Sequence, residues 1–401
     1  MPRLPVISPA LRAAVVFGIS GVGFVGANLV FARVMTPADY AIVSLVIALV
    51  QIAMPLGPLG LDTLVARRAI EPQKALLGRA MATSAATGGV AALVAAFFYH
   101  LDPALVLLIL ASSVAGGANL VASAVYQGRR RFGPALALSQ SQNGVLAAAA
   151  ILVALVTVRD PKLPCTVYAI GYFVSAGAGW WLLLRHRREV RRESLGASEL
   201  LSLAGVTAAT LVLIQLERLV IPRRLSLEDL ALYGVLAAVA GSPYRVLQQG
   251  VGYTLLPRLR GAGSLEERRR LVRREARNGG AVTLLASAGI WLLASPLVAR
   301  LLAGKYTLTD SLLLAAILAG VAKVGSAFAT AAATALCTES ELAHLRHLAW
   351  LSLAASAGAC WYGARWGVEG VICGAAIGWT GLALAGAALA APHFRARTTV
   401  M

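Results

Sequence analysis

Twelve mainly apolar stretches run along the chain, each closed off from the next by a short polar break. Six lie near 11–31, 40–60, 80–99, 104–126, 135–157 and 166–184. Six more lie near 199–221, 230–256, 279–302, 310–334, 345–364 and 367–391. A helix of ~20 apolar residues crosses a ~30 Å hydrocarbon core, so each stretch is read as one transmembrane helix. Strands of a membrane barrel would alternate apolar and polar residues, and no such alternation is present. The pattern predicts an all-α polytopic membrane protein of about 12 transmembrane helices.

Charges in the breaks alternate too. The N-terminus has Arg3 and Arg12, and the second loop has Arg67, Arg68, Lys74 and Arg79. The fourth has Arg129, Arg130 and Arg131, the sixth has five arginines from Arg185 to Arg192, and the eighth is richer still, from Arg258 to Arg277. Odd-numbered loops are poorer, as with His100 and Asp102, or Lys305 and Asp310. Since basic loops stay cytoplasmic, both termini are expected inside, with an even number of spans. The loop after the seventh span fits least well, its Arg223 and Arg224 offset by Glu228 and Asp229. The tenth loop gives no sign either way.

The eighth loop adds a surface element. Ser264 with Glu267 forms a capping box, and Glu266 with Arg270 makes a favourable pair one turn apart. A cytoplasmic amphipathic helix near 264–277, resting on anionic headgroups, is expected. The basic cluster at 185–198 reads as a linker between an N-terminal six-helix lobe, 1–184, and a C-terminal one, 199–401. The two halves echo each other. Pro37-Ala38-Asp39-Tyr40-Ala41 opens the second span, and Leu227-Glu228-Asp229-Leu230-Ala231 opens the eighth. The helices they open end in the related phrases Asp62-Thr63-Leu64-Val65-Ala66-Arg67 and Tyr253-Thr254-Leu255-Leu256-Pro257-Arg258. Parallel repeats of this kind imply two lobes with a central cavity.

Composition agrees: 58% of the 401 residues are hydrophobic and 13% charged. Soluble domains run at about 45–50% apolar and about 25% charged. The net charge of +18 would suggest nucleic acid in a soluble protein, but here the basic residues belong to topology. No nucleic-acid partner is expected. Cys165, Cys337, Cys360 and Cys373 are scattered, without CxxC or Cys/His spacing, so neither a disulfide framework nor a zinc site is read from them. The first apolar run is long enough to span and lacks a cleavage site, so no signal peptide is expected.

A charge inside a span costs a few kcal/mol at least, which makes it a candidate for function. Arg245, in Ser242-Pro243-Tyr244-Arg245, and Lys323, in Gly320-Val321-Ala322-Lys323-Val324-Gly325, sit at mid-depth. No acid lies at similar depth in the sequence, so both are expected to be unpaired. Glu217 and Arg218 lie toward the outer end of the seventh span, where they could meet charges outside. Asp62 and Arg67 flank a cytoplasmic helix end. Gln51, Asn119, Gln140, Asn143, Gln215, Gln248 and Gln249 could line a polar cavity or could bond neighbouring helices. The candidate substrate-binding set is Arg245, Lys323, Arg218, Gln51, Asn119, Gln215 and Gln248. The candidate gating or structural set is Asp62, Arg67 and Glu217. No catalytic or metal-binding residue is expected.

Four phrases, in order, resemble one family. Phe31-Ala32-Arg33-Val34-Met35-Thr36-Pro37-Ala38-Asp39-Tyr40 looks like the first outer loop of the polysaccharide or O-antigen flippases (Wzx-like). These belong to the multidrug/oligosaccharidyl-lipid/polysaccharide (MOP) exporter superfamily. Ala41 stands where that family usually has glycine. Gly60-Leu61-Asp62 with Arg67 is similar to its Gly-Leu-Asp signature. Pro296-Leu297-Val298 with Gly304-Lys305-Tyr306 resembles its ninth-to-tenth-span loop, and Trp366-Gly367-Val368-Glu369-Gly370-Val371 the start of its last helix pair. The resemblance implies a multi-pass protein of the bacterial inner membrane that flips a lipid-linked oligosaccharide by alternating access, without a cofactor. Its partners would be that substrate and membrane lipids, with other glycan-assembly proteins as a further class. Unpaired mid-depth cations suit the pyrophosphate of such a substrate. A cation-coupled multidrug exporter would want a carboxylate deep in the first six spans, and none is present. A glycan polymerase or ligase would want a sizeable outer loop, and every outer loop is short. No P-loop, HExxH or GxSxG motif occurs, so an enzyme is not expected. A scaffold for glycan assembly is the remaining alternative.

Overall fold

The computed structural model describes residues 9–68, 70–129, 131–156, 159–185 and 197–394. Among these residues the backbone is helical apart from short connections, with no strand. Ten stretches are long and apolar enough to cross a bilayer, and the last of them, Glu339–Phe394, holds two helices. Ahead of all ten, Ser20–Val34 is a shorter apolar stretch within the first helix. The protein is a multi-pass, all-α membrane protein. Most of the basic linker, 186–196, lies outside the described residues.

The helices fall into two compact units, Met1–Leu211 with Ser226–Gly234, and Val212–Leu225 with Val235–Met401. The first unit contains α1 (Pro9–Val34), α2 (Pro37–Leu56), α3 (Leu61–Arg68), α4 (Lys74–Leu93), α5 (Pro103–Gly128), α6 (Phe132–Val156) and α7 (Lys162–Arg185). Helix α5 is the hub, packing on α2, α3, α4, α6 and α7. Its small residues let neighbours approach, and the Trp180 indole donates to the Ala118 carbonyl at 2.8 Å. Polar groups tie the other helices. Ser20 donates to Gln140 at 2.7 Å and receives from Asn143 at 2.6 Å, joining α1 to α6.

The family-like phrase at 36–40 is a helix start. Thr36 is the N-cap of α2, its hydroxyl oxygen accepting from the Asp39 amide, and Pro37 takes the first helical position. Tyr40, fully buried, donates to Asn28 at 3.2 Å. The second half repeats the device. Ser226 accepts from the Asp229 amide at 3.1 Å, while the Asp229 carboxylate accepts from the Ser226 amide at 3.0 Å, ahead of α9 (Leu227–Leu236). The echo between the two halves is therefore a shared capping motif. The second span is shorter than expected from hydropathy. Helix α2 stops at Leu56, and a turn with positive φ at Leu59 and Gly60 separates it from α3. Outside the spans, Lys162 bridges to Asp102 at 2.8 Å. The Lys162 hydrogen bond and the Ala104 amide together hold the Asp102 carboxyl below its ordinary range.

The second unit is built from the end of α8 (Ala197–Arg224), α10 (Ser242–Gly261), α11 (Leu265–Leu301), α12 (Asp310–Leu336), α13 (Glu339–Gly363) and α14 (Gly367–Ala390). A π-helical turn, Ala237–Gly241, separates α9 from α10 and ends two residues before Pro243. Proline lacks an N–H and its ring crowds the carbonyl four residues back, which the wider π turn relieves. The expected surface helix at 264–277 is not a separate element: α11 runs unbroken for 37 residues from Leu265 into the ninth span. Ser264 caps it, but the Glu267 carboxylate accepts from the Gly263 amide at 3.0 Å and not from Ser264, so the box is displaced by one residue.

Helix α14 is the most closely packed in this unit, lying against α12 and α13. A Cβ at Gly374 would overlap the backbone of Ala359 and Cys360, and one at Gly370 would overlap the Gly363 carbonyl. Ser356 donates to the Gly374 carbonyl at 3.1 Å across this contact. The Gly367–Gly370 phrase, noted for its family likeness, thus serves helix packing.

Candidate functional site

The second unit buries charge. Glu217 and Arg218, on α8, are 1% and 3% exposed. Helix α8 continues to Arg224, so Glu217 lies about 10 Å inside its end at about 1.5 Å per residue. From α12, the Lys323 ammonium reaches the Glu217 carboxylate at 3.1 Å. The Trp379 ring, wholly buried on α14, lies 5.7 Å from the same ammonium. An ammonium at that distance is drawn to the ring face. Arg218 donates to Gln215, one turn away, at 2.9 Å.

The expectation that Lys323 is unpaired is therefore wrong, and so is the placement of Glu217 toward charges outside. Opposite charges within an apolar medium seek each other, because an isolated ion there costs far more than a pair. Two features hid the partner. Hydropathy ends the seventh span at about position 221, three positions short of the helix end at Arg224. Glu217 and Lys323 also lie far apart in sequence, so no local pattern announces their contact. The signal that could have found it is the presence of single opposite charges on two different spans. Trp379 carried no signal at all.

The pair is only half satisfied. Glu217 Oε1 holds Lys323, while Oε2 and the Trp379 indole N–H are buried without a hydrogen-bond partner among the described residues. Such groups are rare in a folded interior, so α8, α12 and α14 meet at a polar point with unused hydrogen-bonding capacity.

The other candidates separate into two kinds. Asn119 is spent on structure: it donates to the Leu138 carbonyl at 2.8 Å and accepts from Ser175 at 3.0 Å, joining α5, α6 and α7. Both ends of its amide are therefore engaged between helices, the second of the two roles expected for such residues. Arg245 and Gln248 sit partly buried on α10, and Gln51 is partly buried on α2. Arg245 is not a free cation either, for it too is engaged by a neighbouring group. Asp62 stands in the first turn of α3, where an acid favours the positive helix end. The Arg67 side chain lies outside the described residues.

The fold has known members. An inward-facing multidrug-resistance MATE transporter of the MOP superfamily superposes with TM-score 0.60 at 14% identity, over 95% of this chain and 98% of its own. The lipid II flippase MurJ, in an inward closed conformation, gives TM-score 0.68 at 12% identity, over 94% of this chain and 86% of its own. A MATE structure in complex with MaD3S gives 0.54 at 14% identity, over 97% of both chains. At such identities the likeness establishes the fold. No curated protein matches the sequence. The family model described as polysaccharide biosynthesis protein matches residues 12–260, more than half of the chain. The chain belongs to the polysaccharide biosynthesis protein family and has the helical membrane fold of the MOP superfamily transporters.

Proposed function

We propose that this protein is a flippase that moves a prenyl-pyrophosphate-linked oligosaccharide across the membrane for surface polysaccharide synthesis, with both termini in the cytoplasm. The observation that carries the reading is the family match over residues 12–260. The lipid II flippase among the fold's solved members supports a lipid-linked substrate. The anionic headgroup is assigned to Arg245, partly buried on α10, with Gln248 on the same helix as an amide for the sugars. In the first unit, Gln51 is a separate amide candidate for the sugars. Guanidinium suits pyrophosphate because its fork presents paired donors to the anionic oxygens. The chemistry needed is positioning and alternating access, with no bond made or broken. Energy comes from an ion gradient, the membrane potential or the substrate gradient.

The test is genetic and chemical together. Deleting the gene should trap lipid-linked oligosaccharide on the inner leaflet and abolish the surface polymer. Complementation with the wild-type gene should restore the polymer, whereas Arg245→Ala, expressed at an equal level, should restore at most about a tenth of it. That loss corresponds to roughly 1.4 kcal/mol. A deletion strain that keeps its surface glycans and becomes sensitive to cationic drugs would replace this reading with multidrug export.

A further inference from the structure

Three potential metal ligands converge at one end of the second unit, though the sequence scatters them. Cys337 caps the C-terminus of α12, Glu341 lies in the first turn of α13, and His393 lies in the 3-10 turn, Ala391–Phe394, that follows α14. Their donor atoms all lie within 4.8 Å of one another. His393 Nε2 stands 3.2 Å from Glu341 Oε1 and 3.0 Å from Oε2. We propose that Cys337, Glu341 and His393 form a zinc-class metal site that fastens the end of α14 to the turn between α12 and α13.

The donor set selects the metal. One sulfur, one imidazole nitrogen and one carboxylate oxygen suit zinc, whereas calcium and magnesium take oxygen alone. Zinc bonds of about 2.0–2.3 Å place ligand atoms about 3.3–3.7 Å apart, so the observed spacing closes with small side-chain rotations. The carboxylate is already oriented. Glu341 Oε2 accepts from the Thr338 amide at 2.7 Å and the Thr338 hydroxyl at 2.9 Å, which leaves Oε1 for the metal. Ligating carboxylates are commonly held by such outer bonds. Among the described residues, Cys337 Sγ otherwise has only a weak contact with the Leu389 carbonyl, at 3.5 Å. A divalent ion with one thiolate and one carboxylate is electrically neutral, which fits a partly buried position beside apolar helices. The three residues are partly exposed, so water can complete the tetrahedron.

Burial, with a smaller effect from the Glu341 charge, pushes the free Cys337 thiol up to about 11. Binding therefore releases the thiol proton to solvent as the sulfur–zinc bond forms. Arg269, in the basic first turns of α11, donates to the Phe394 carbonyl at 2.7 Å. The metal would thus lock a clasp that joins four helix ends of this unit.

The full-length chain, purified in detergent without a histidine tag, should be titrated with Zn²⁺ against a chromophoric chelator and separately with Co²⁺. One zinc per chain is expected, and cobalt should give a thiolate charge-transfer band. Cys337→Ser should abolish that band. Cys337→Ser and His393→Ala should each weaken zinc binding at least tenfold, and Thr338→Val by about 10–100-fold. Cys373→Ser, at an exposed cysteine on α14, should bind as the wild type does. Wild-type protein that binds no zinc, or cobalt bound without a thiolate band, would overturn the site. Equal zinc affinity in the wild type and both ligand variants would also overturn it.

Discussion

Replacing Lys323 with methionine is expected to collapse the yield of folded protein, and adding Glu217→Gln to that variant is expected to restore it. The Glu217 carboxylate is 1% exposed and bonded to Lys323, so methionine leaves an uncompensated charge among apolar helices. Removing one partner of a buried pair costs about 3–5 kcal/mol, of the order of a whole domain's stability margin. Replacing both removes the charge altogether and is expected to be near neutral. Detergent-solubilised monomer on size exclusion, with its thermal midpoint, reads all three proteins side by side. A double variant as poor as Lys323→Met alone would show that the pair is not what the lysine supports. Because Lys323 serves the packing of this unit, its loss of export should track its loss of folded protein. Arg245→Ala differs: export per folded protein should fall, whatever the change in folded yield.

The second large effect is expected at Gly374. Leucine there must force apart the backbones of α13 and α14, since even a Cβ would overlap Ala359 and Cys360. Lipid offers no hydrophobic gain for helices that separate and reassociate, so close packing carries this contact. Gly374→Leu should leave little or no folded protein. The matched control on the same helix is Ile377→Leu, at an exposed position, which should behave as the wild type. Normal yield from Gly374→Leu would mean that the helix contact is looser than described.

The spans are legible in the sequence because the bilayer imposes length and composition on them directly. Charge placement is legible only in part. Arg245 and Lys323 stand out as costly ions, yet the partner of Lys323 comes from a helix distant in sequence, and hydropathy misjudges where that helix ends. Polar residues tell even less. Asn119 looks the same in sequence whether it faces a substrate or, as found, bonds α6 and α7. The capping phrases at Thr36 and Ser226 read as a repeat, and their hydrogen bonds give that repeat a physical cause. The clustering of Cys337, Glu341 and His393 has no sequence sign, because 52 residues separate the glutamate from the histidine.

Passage of a lipid-linked glycan across a bilayer is tested most directly with purified protein in sealed liposomes. These carry a labelled prenyl-pyrophosphate oligosaccharide, and a membrane-impermeant glycosidase is added outside. In protein-free liposomes about half of the label, that in the outer leaflet, is expected to be cleaved. With the wild-type protein, cleavage is expected to proceed to near completion, and Arg245→Ala should slow passage beyond the outer-leaflet fraction. Cleavage that stops at the protein-free level with folded wild-type protein, in the presence of an imposed ion gradient and membrane potential, would contradict flipping.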